Sequence, residues 1–186
     1  MTIYLYLEKE EYAKTWVDGG KAPICLASKY LHDKRDGTKT IDETKIREGI
    51  PLSNYEQYGM FFGNMENYEI SGNTYNGEKM PDAKGYREDG LILSFCNDLS
   101  SDIARKLRKV ICVEIIDIEK TKQEIDRQLG VVGVMRNCEY TTGHERNPFL
   151  KSVEDSWQNE LRIYWKNQLH SQEVIIPSGT AKIVWP

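Results

Sequence analysis

Phe149-Leu-Lys-Ser-Val-Glu-Asp-Ser-Trp157-Gln-Asn-Glu160-Leu-Arg162-Ile-Tyr-Trp165 is the stretch from which the rest of the chain can be read. It reads as the start of a helix or a turn, followed by a strand. Glu160, Arg162 and Tyr164 alternate with Leu161, Ile163 and Trp165, so the polar three share one face and the apolar three the other. A carboxylate on the polar face of an otherwise well-buried strand must be held by partners or serve a site. Chemistry is expected here before anywhere else in the chain.

Working outward, 186 residues suffice for one domain with a real core, and a single domain over 1–186 is expected. Hydrophobic residues make up 39% and charged residues 29%, a globular composition. The net charge of −4 argues against a dedicated nucleic-acid binder held by phosphate neutralisation, though not against a local basic groove. Cys25, Cys96, Cys112 and Cys138 are far apart and form no Cys-x-x-Cys pair; they read as buried small hydrophobes in a reducing compartment. The His residues lie away from them, so no zinc site is expected. No apolar run approaches the length of a membrane span, and the opening Met-Thr-Ile-Tyr-Leu-Tyr reads as a strand rather than a signal peptide. The expected location is cytoplasmic, with no membrane partner.

Thr2–Leu7 is expected to be the first strand and Glu8–Val17 a helix closed by Asp18-Gly19-Gly20. Lys21–Ala27 follows as a short strand. Ser28–Glu48 is densely charged and reads as a loop, or a short helix and a loop. Residues 49–90 interleave seven aromatics with Gly, Asn and Glu and read as irregular structure or a hairpin; such long loops are often functional. Leu91–Cys96 is nearly all apolar, hence a central strand. A turn of helix within Asp98–Lys109, a strand over Val110–Ile118, a helix over Glu119–Leu129 and a strand over Val131–Tyr140 come next. Val174–Pro177 and Ala181–Trp185 close the chain as strands. About seven strands and three helices, not strictly alternating, give an α+β fold.

Four motifs then stand in a telling order: Ile3-Tyr4-Leu5-Tyr6; Ile24-Cys25-Leu26-Ala27-Ser28-Lys29-Tyr30; Leu93-Ser94-Phe95; and Lys151-Ser152, Trp157 and Glu160-Leu161-Arg162. This order resembles the ADP-ribosyltransferase (ART) fold, and more closely a poorly characterised bacterial family of unknown function that shares it. Size and layout are also similar to DarT-type phage-defence and toxin transferases. The resemblance implies two small mixed or antiparallel sheets flanked by a few helices, with NAD as substrate and no metal. It implies transfer of ADP-ribose to RNA, DNA or protein, and an antitoxin or other regulatory protein as partner. The alternative is a catalytically degenerate ART-like module that binds a nucleotide or a protein. Where well-known transferases carry Arg or His on the first strand, this chain has Leu5, and Cys96 replaces a second hydroxyl residue after Phe95.

By the same resemblance Glu160 bonds the nicotinamide-ribose 2′-hydroxyl and stabilises the cationic sugar, and Ser94 orients it. The plainer readings are an ion pair of Glu160 with Arg162 or a cross-strand Lys, and a small residue packed in a central strand. Arg35, beside Asp36, is the candidate clamp for the pyrophosphate that the first strand does not supply, or simply part of a solvated loop. Ser28, Tyr30 and Arg162 complete the expected NAD-binding set with Tyr4 and Tyr6. One of those two tyrosines is expected to face the pocket to stack on a ring, the other to enter the core. The tyrosines of 55–86 could stack bases, but a layer over the sheet is preferred. His144-Glu145-Arg146-Asn147 reads as a turn before Pro148.

Overall fold

A computed structural model describes residues 2–31, 45–49, 68–70, 72, 74–75, 77–79, 83–87, 89–143 and 147–185. The chain begins β1 (Ile3–Leu7), α1 (Glu10–Asp18) and β2 (Gly20–Leu26), then a 3-10 turn at Ala27–Leu31. Five short strands follow: β3 (Lys45–Gly49), β4 (Tyr68–Ile70), β5 (Thr74–Tyr75), β6 (Glu78–Lys79) and β7 (Ala83–Arg87). Then come β8 (Gly90–Cys96), α2 (Ser101–Leu107), β9 (Ile111–Ile115), α3 (Ile118–Leu129), β10 (Val134–Asn137), β11 (Glu139–Thr141) and β12 (Leu150–Ser152). A 3-10 turn at Val153–Gln158 leads into β13 (Glu160–Lys166), and β14 (Gln172–Ile176) and β15 (Ala181–Trp185) end the chain.

The fold is α+β, organised around one forked antiparallel sheet. Its main path runs β10-β13-β8-β1-β9-β15. β13 lies along the whole of one edge of β8, from Glu160 opposite Cys96 to Lys166 opposite Gly90. The other edge of β8 is divided. Cys96 faces Tyr4 of β1, whereas Ile92 and Leu91 face Cys25 and Leu26 of β2, which in turn pairs with β14. The two small sheets that the resemblance implies are instead joined as two branches of an eight-stranded sheet. The apolar run of β8 explains the join, since a strand buried on both faces can also be paired on both edges. Smaller pieces are the antiparallel set β3-β7-β4, the hairpin β5-β6 and the parallel pair β11-β12.

Among the described residues fifteen strands stand where about seven were expected, mainly because the aromatic and glycine-rich 49–90 stretch contains several of two to five residues. The expected strand over Val131–Tyr140 is broken at Cys138. β10 leaves its pairing with β13 there, and β11 goes on to pair with β12. The helices stop and start as local chemistry dictates. Ser100 caps α2 by accepting from the N–H groups of Asp102 and Ile103, Asp117 caps α3 by accepting from Lys120 N–H, and Gly130 ends α3 at φ 67°.

One face of the sheet carries the main core. Ile3 and Leu5, Leu91 and Phe95, Ile111 and Val113, and Leu161, Ile163 and Trp165 meet Ala13 and Trp16 of α1 and Ile125 of α3. Asp126 fastens α3 to this core. Its Oδ1 accepts from Trp165 Nε1 at 2.6 Å and from Gly133 N–H at 3.0 Å, while Oδ2 pairs with Lys122. Burial alone would raise the Asp126 carboxyl, but the Lys122, Gly133 and Trp165 donors outweigh it and hold the group below its ordinary range. A depressed carboxyl contributes stability above its unfolded pKa, and the contribution is lost as pH falls through the folded value. Asp126→Asn is therefore expected to lower stability by about 1–3 kcal/mol at neutral pH. Denaturant midpoints of the two proteins should converge as pH falls below about 4. A gap that stays constant down to pH 3 would contradict this role.

Among the described residues, no helix is long and apolar enough to cross a membrane.

Candidate functional site

The second face of the sheet is built differently. At one end Tyr6, Cys96 and Cys112 pack with Ile103 and Ala104 of α2, and Tyr4, Trp157 and Trp185 lean on them. At the other end Ile92 and Tyr164 pack with Ala27, Tyr30 and Phe149. Between these two small apolar clusters lie Ser94, Arg162 and Glu160. The register puts them there: Arg162 is directly opposite Ser94, and Glu160 directly opposite Cys96. Opposed residues of an antiparallel pair, and residues two apart, point to the same face.

Local geometry delivers Glu160 to this position. Asn159 turns the chain into β13 at φ 41°, a left-handed conformation that Asn adopts more easily than most residues. Its side chain donates to Asp98 at 2.7 Å and its carbonyl accepts from Asn97 N–H at 2.9 Å. These bonds tie the start of β13 to the end of β8. Glu160 N–H donates to the Tyr140 hydroxyl at 3.0 Å, and Glu160 C=O accepts from Cys138 N–H at 2.8 Å.

The Glu160 side chain sits in a buried polar network. Arg162 Nε donates to its Oε2 at 2.7 Å, and Lys151 Nζ to the same oxygen at 3.3 Å. The Cys138 thiol lies 3.7 Å from it. Lys151 also donates to Gln158 Oε1 at 2.6 Å, and Gln158 donates to Asp155 at 3.4 Å. Arg162 is further anchored on the Pro148 carbonyl at 2.8 Å. Lys151, Asp155, Gln158 and Arg162 are all at most 2% exposed, and Glu160 8%. Burial would raise the Glu160 carboxyl, but the Arg162 guanidinium and the Lys151 ammonium overcome it and hold the group ionised below its ordinary range. Nearby, burial pushes the Tyr140 hydroxyl up to about 12 and the Cys96 thiol well above its usual value, so both stay neutral.

These contacts all converge on Oε2. Among the described residues, none bonds Glu160 Oε1 or the half-buried Ser94 hydroxyl. One oxygen is thus anchored by two cations while its twin and a neighbouring hydroxyl remain for other partners. The arrangement can present a fixed negative oxygen to a hydroxyl or to a positive centre.

The remaining expected residues divide. Tyr4 and Tyr6 are two apart and both lie on the Glu160 face, so alternation does not separate them; Tyr6 is nonetheless buried, in the smaller core cluster on that face. Leu5 lies in the main core and points away from the site. Tyr6 is spoken for: its buried hydroxyl donates to Asp98 C=O at 2.8 Å and accepts from Ser100 N–H at 2.7 Å, and burial raises its pKa to about 12. Tyr4 is half-buried beside it. Tyr30 stands at the Tyr164 end of the face, and Ser28 is held by its N–H to Asp89 at 3.1 Å, next to the start of β8. Arg35 and Asp36, most of the aromatic 55–86 stretch and His144–Arg146 lie outside the described residues. Lys151, Gln158, Tyr140 and Cys138 were not expected around Glu160. Lys151 stood in a quoted motif, but the pairing of β11 with β12 that brings these residues over Glu160 has no local signature.

The four cysteines are free, with Cys96, Cys112 and Cys138 buried. Among the described residues no group of three or more His, Cys, Asp or Glu side chains is placed to hold a metal ion. Compared with protein-family models, curated proteins and solved structures, the chain matches none.

Proposed function

We propose that this protein is an NAD-dependent ADP-ribosyltransferase, acting as a toxin or phage-defence effector on a nucleic-acid or protein acceptor. The observation that supports this best is the Glu160 carboxylate, anchored through Oε2 with Oε1 left for a ligand, on the strand beside Ser94. In this reading Oε1 accepts from the nicotinamide-ribose 2′-hydroxyl. The bond from C1′ to the nicotinamide nitrogen breaks with its electron pair leaving on nicotinamide. Positive charge develops at C1′ and its ring oxygen, where a preorganised carboxylate stabilises it. An acceptor nucleophile then attacks C1′ and releases its proton. Tyr4, Tyr30 and Arg162 border the same face, and Ser28 is held next to the start of β8; Arg35, the proposed pyrophosphate clamp, lies outside the described residues.

A second reading, a degenerate ART-like module that binds a nucleotide or a protein, is favoured by a different observation. Two buried cations within 3.3 Å of Glu160 oppose positive charge developing beside it. Incubation with adenylate-labelled NAD and cell lysate separates the two. The first reading expects label in the protein, RNA or DNA fraction, and growth arrest on expression that Glu160→Gln abolishes. Binding of NAD with neither outcome favours the second. An antitoxin or other regulatory protein is the expected partner of an active toxin.

A further inference from the structure

Burying a lysine ammonium away from water is costly unless it is paired and hydrogen-bonded. Lys151 is 2% exposed, and its ammonium bridges Gln158 Oε1 and Glu160 Oε2. Gln158 is in turn held by Asp155, so the ammonium is aimed by a chain of buried side chains from the Val153–Gln158 turn. Arg162 grips the same oxygen from within β13 itself. Lys151 comes from β12, a separate element, and so fixes the carboxylate from a second direction. Two donors on one oxygen, from two elements, set the rotation of the carboxylate and decide which oxygen remains for a ligand.

We propose that Lys151 is a positioning residue for Glu160, locking Oε2 so that Oε1 meets the substrate and keeping the carboxylate ionised. This rests on the transferase reading above. Among the described residues, the groups facing the carboxylate are Arg162 of β13, Lys151 of β12, Cys138 between β10 and β11, Cys96 of β8, and the Tyr140 hydroxyl of β11 at the Glu160 N–H. Arg162 stays charged throughout, while Tyr140 and Cys96 are held neutral. Lys151 is therefore the group whose removal changes the charge next to Glu160 without touching β13.

The test pairs nicotinamide release from NAD with carboxyl 13C NMR of protein labelled at glutamate, the Glu160 signal being assigned from Glu160→Gln. In Lys151→Met, kcat should fall about tenfold or more with little change in KM for NAD. The acid limb of the pH profile should move up by about one pH unit, as should the titration of Glu160. Lys151→Arg should restore kcat, the acid limb and the Glu160 titration. If wild-type protein releases nicotinamide and Lys151→Met leaves kcat and the titration unchanged, the positioning role is overturned while the transferase reading stands. If wild-type protein releases none, the transferase reading fails, and the NMR titration alone decides whether Lys151 controls the Glu160 charge. Should Lys151→Met not fold, Lys151→Gln keeps an amide donor without the charge and takes its place. Loss of the fold in both, with Lys151→Arg intact, makes Lys151 a structural counter-charge and overturns the proposal.

Discussion

Glu160→Gln is expected to lower the stability of the protein by about 3–5 kcal/mol, because it removes the carboxylate that pairs with two buried cations at once. Arg162 and Lys151, at 1% and 2% exposure, have no water to turn to when the carboxylate is gone. A fold worth about 5–15 kcal/mol survives that loss only in part, so the variant should melt early but still fold at low temperature. The same change should lower NAD turnover per folded molecule by about 100-fold or more, the scale set by preorganised electrostatic groups. The two effects are separable. A destabilised variant with normal turnover per folded molecule would make Glu160 an ion-pair partner and nothing more. Thermal melts and turnover on one preparation give the answer.

Trp165→Ala should be the most damaging change on the opposite face. Trp165 is fully buried in the main core and donates its indole N–H to Asp126 at 2.6 Å. Gly133 lies flat against the indole, where an added Cβ would come within 2.5 Å of Nε1. The substitution removes a large side chain from the middle of the main core cluster, next to Asp126 of α3 and Gly133. A loss of about 3–5 kcal/mol is expected, with part of the Asp126 anchoring gone as well. Urea denaturation measures it directly. A loss under 1 kcal/mol would mean that α3 is fastened to the sheet by other contacts.

Much of this was legible in the sequence because it is local. Alternation over Glu160–Trp165 announced one polar and one apolar face, and β13 has both, although the polar face is covered rather than open. The apolar run at Leu91–Cys96 announced a strand buried on both sides, and β8 is the centre of the sheet. Gly19-Gly20 and Gly130 marked helix ends because few other residues take those backbone angles. What stayed hidden is long-range. No residue near Val131–Tyr140 signals that the strand leaves β13 at Cys138 to pair with β12. That detour carries Tyr140 to the Glu160 backbone and, through β12, Lys151 to its carboxylate. Tyr4 and Tyr6 share one face because strand side chains repeat with a period of two, with Leu5 on the other.

A catalytic Glu160, as proposed, and a buried counter-ion differ in turnover per folded molecule. A single-turnover assay of nicotinamide release, with wild-type and Glu160→Gln protein corrected for the folded fraction, tests that difference most directly. The account predicts release by the wild type and a fall of about 100-fold or more in the variant. Equal rates per folded molecule, or no release by wild-type protein supplied with protein, RNA and DNA acceptors, would contradict it.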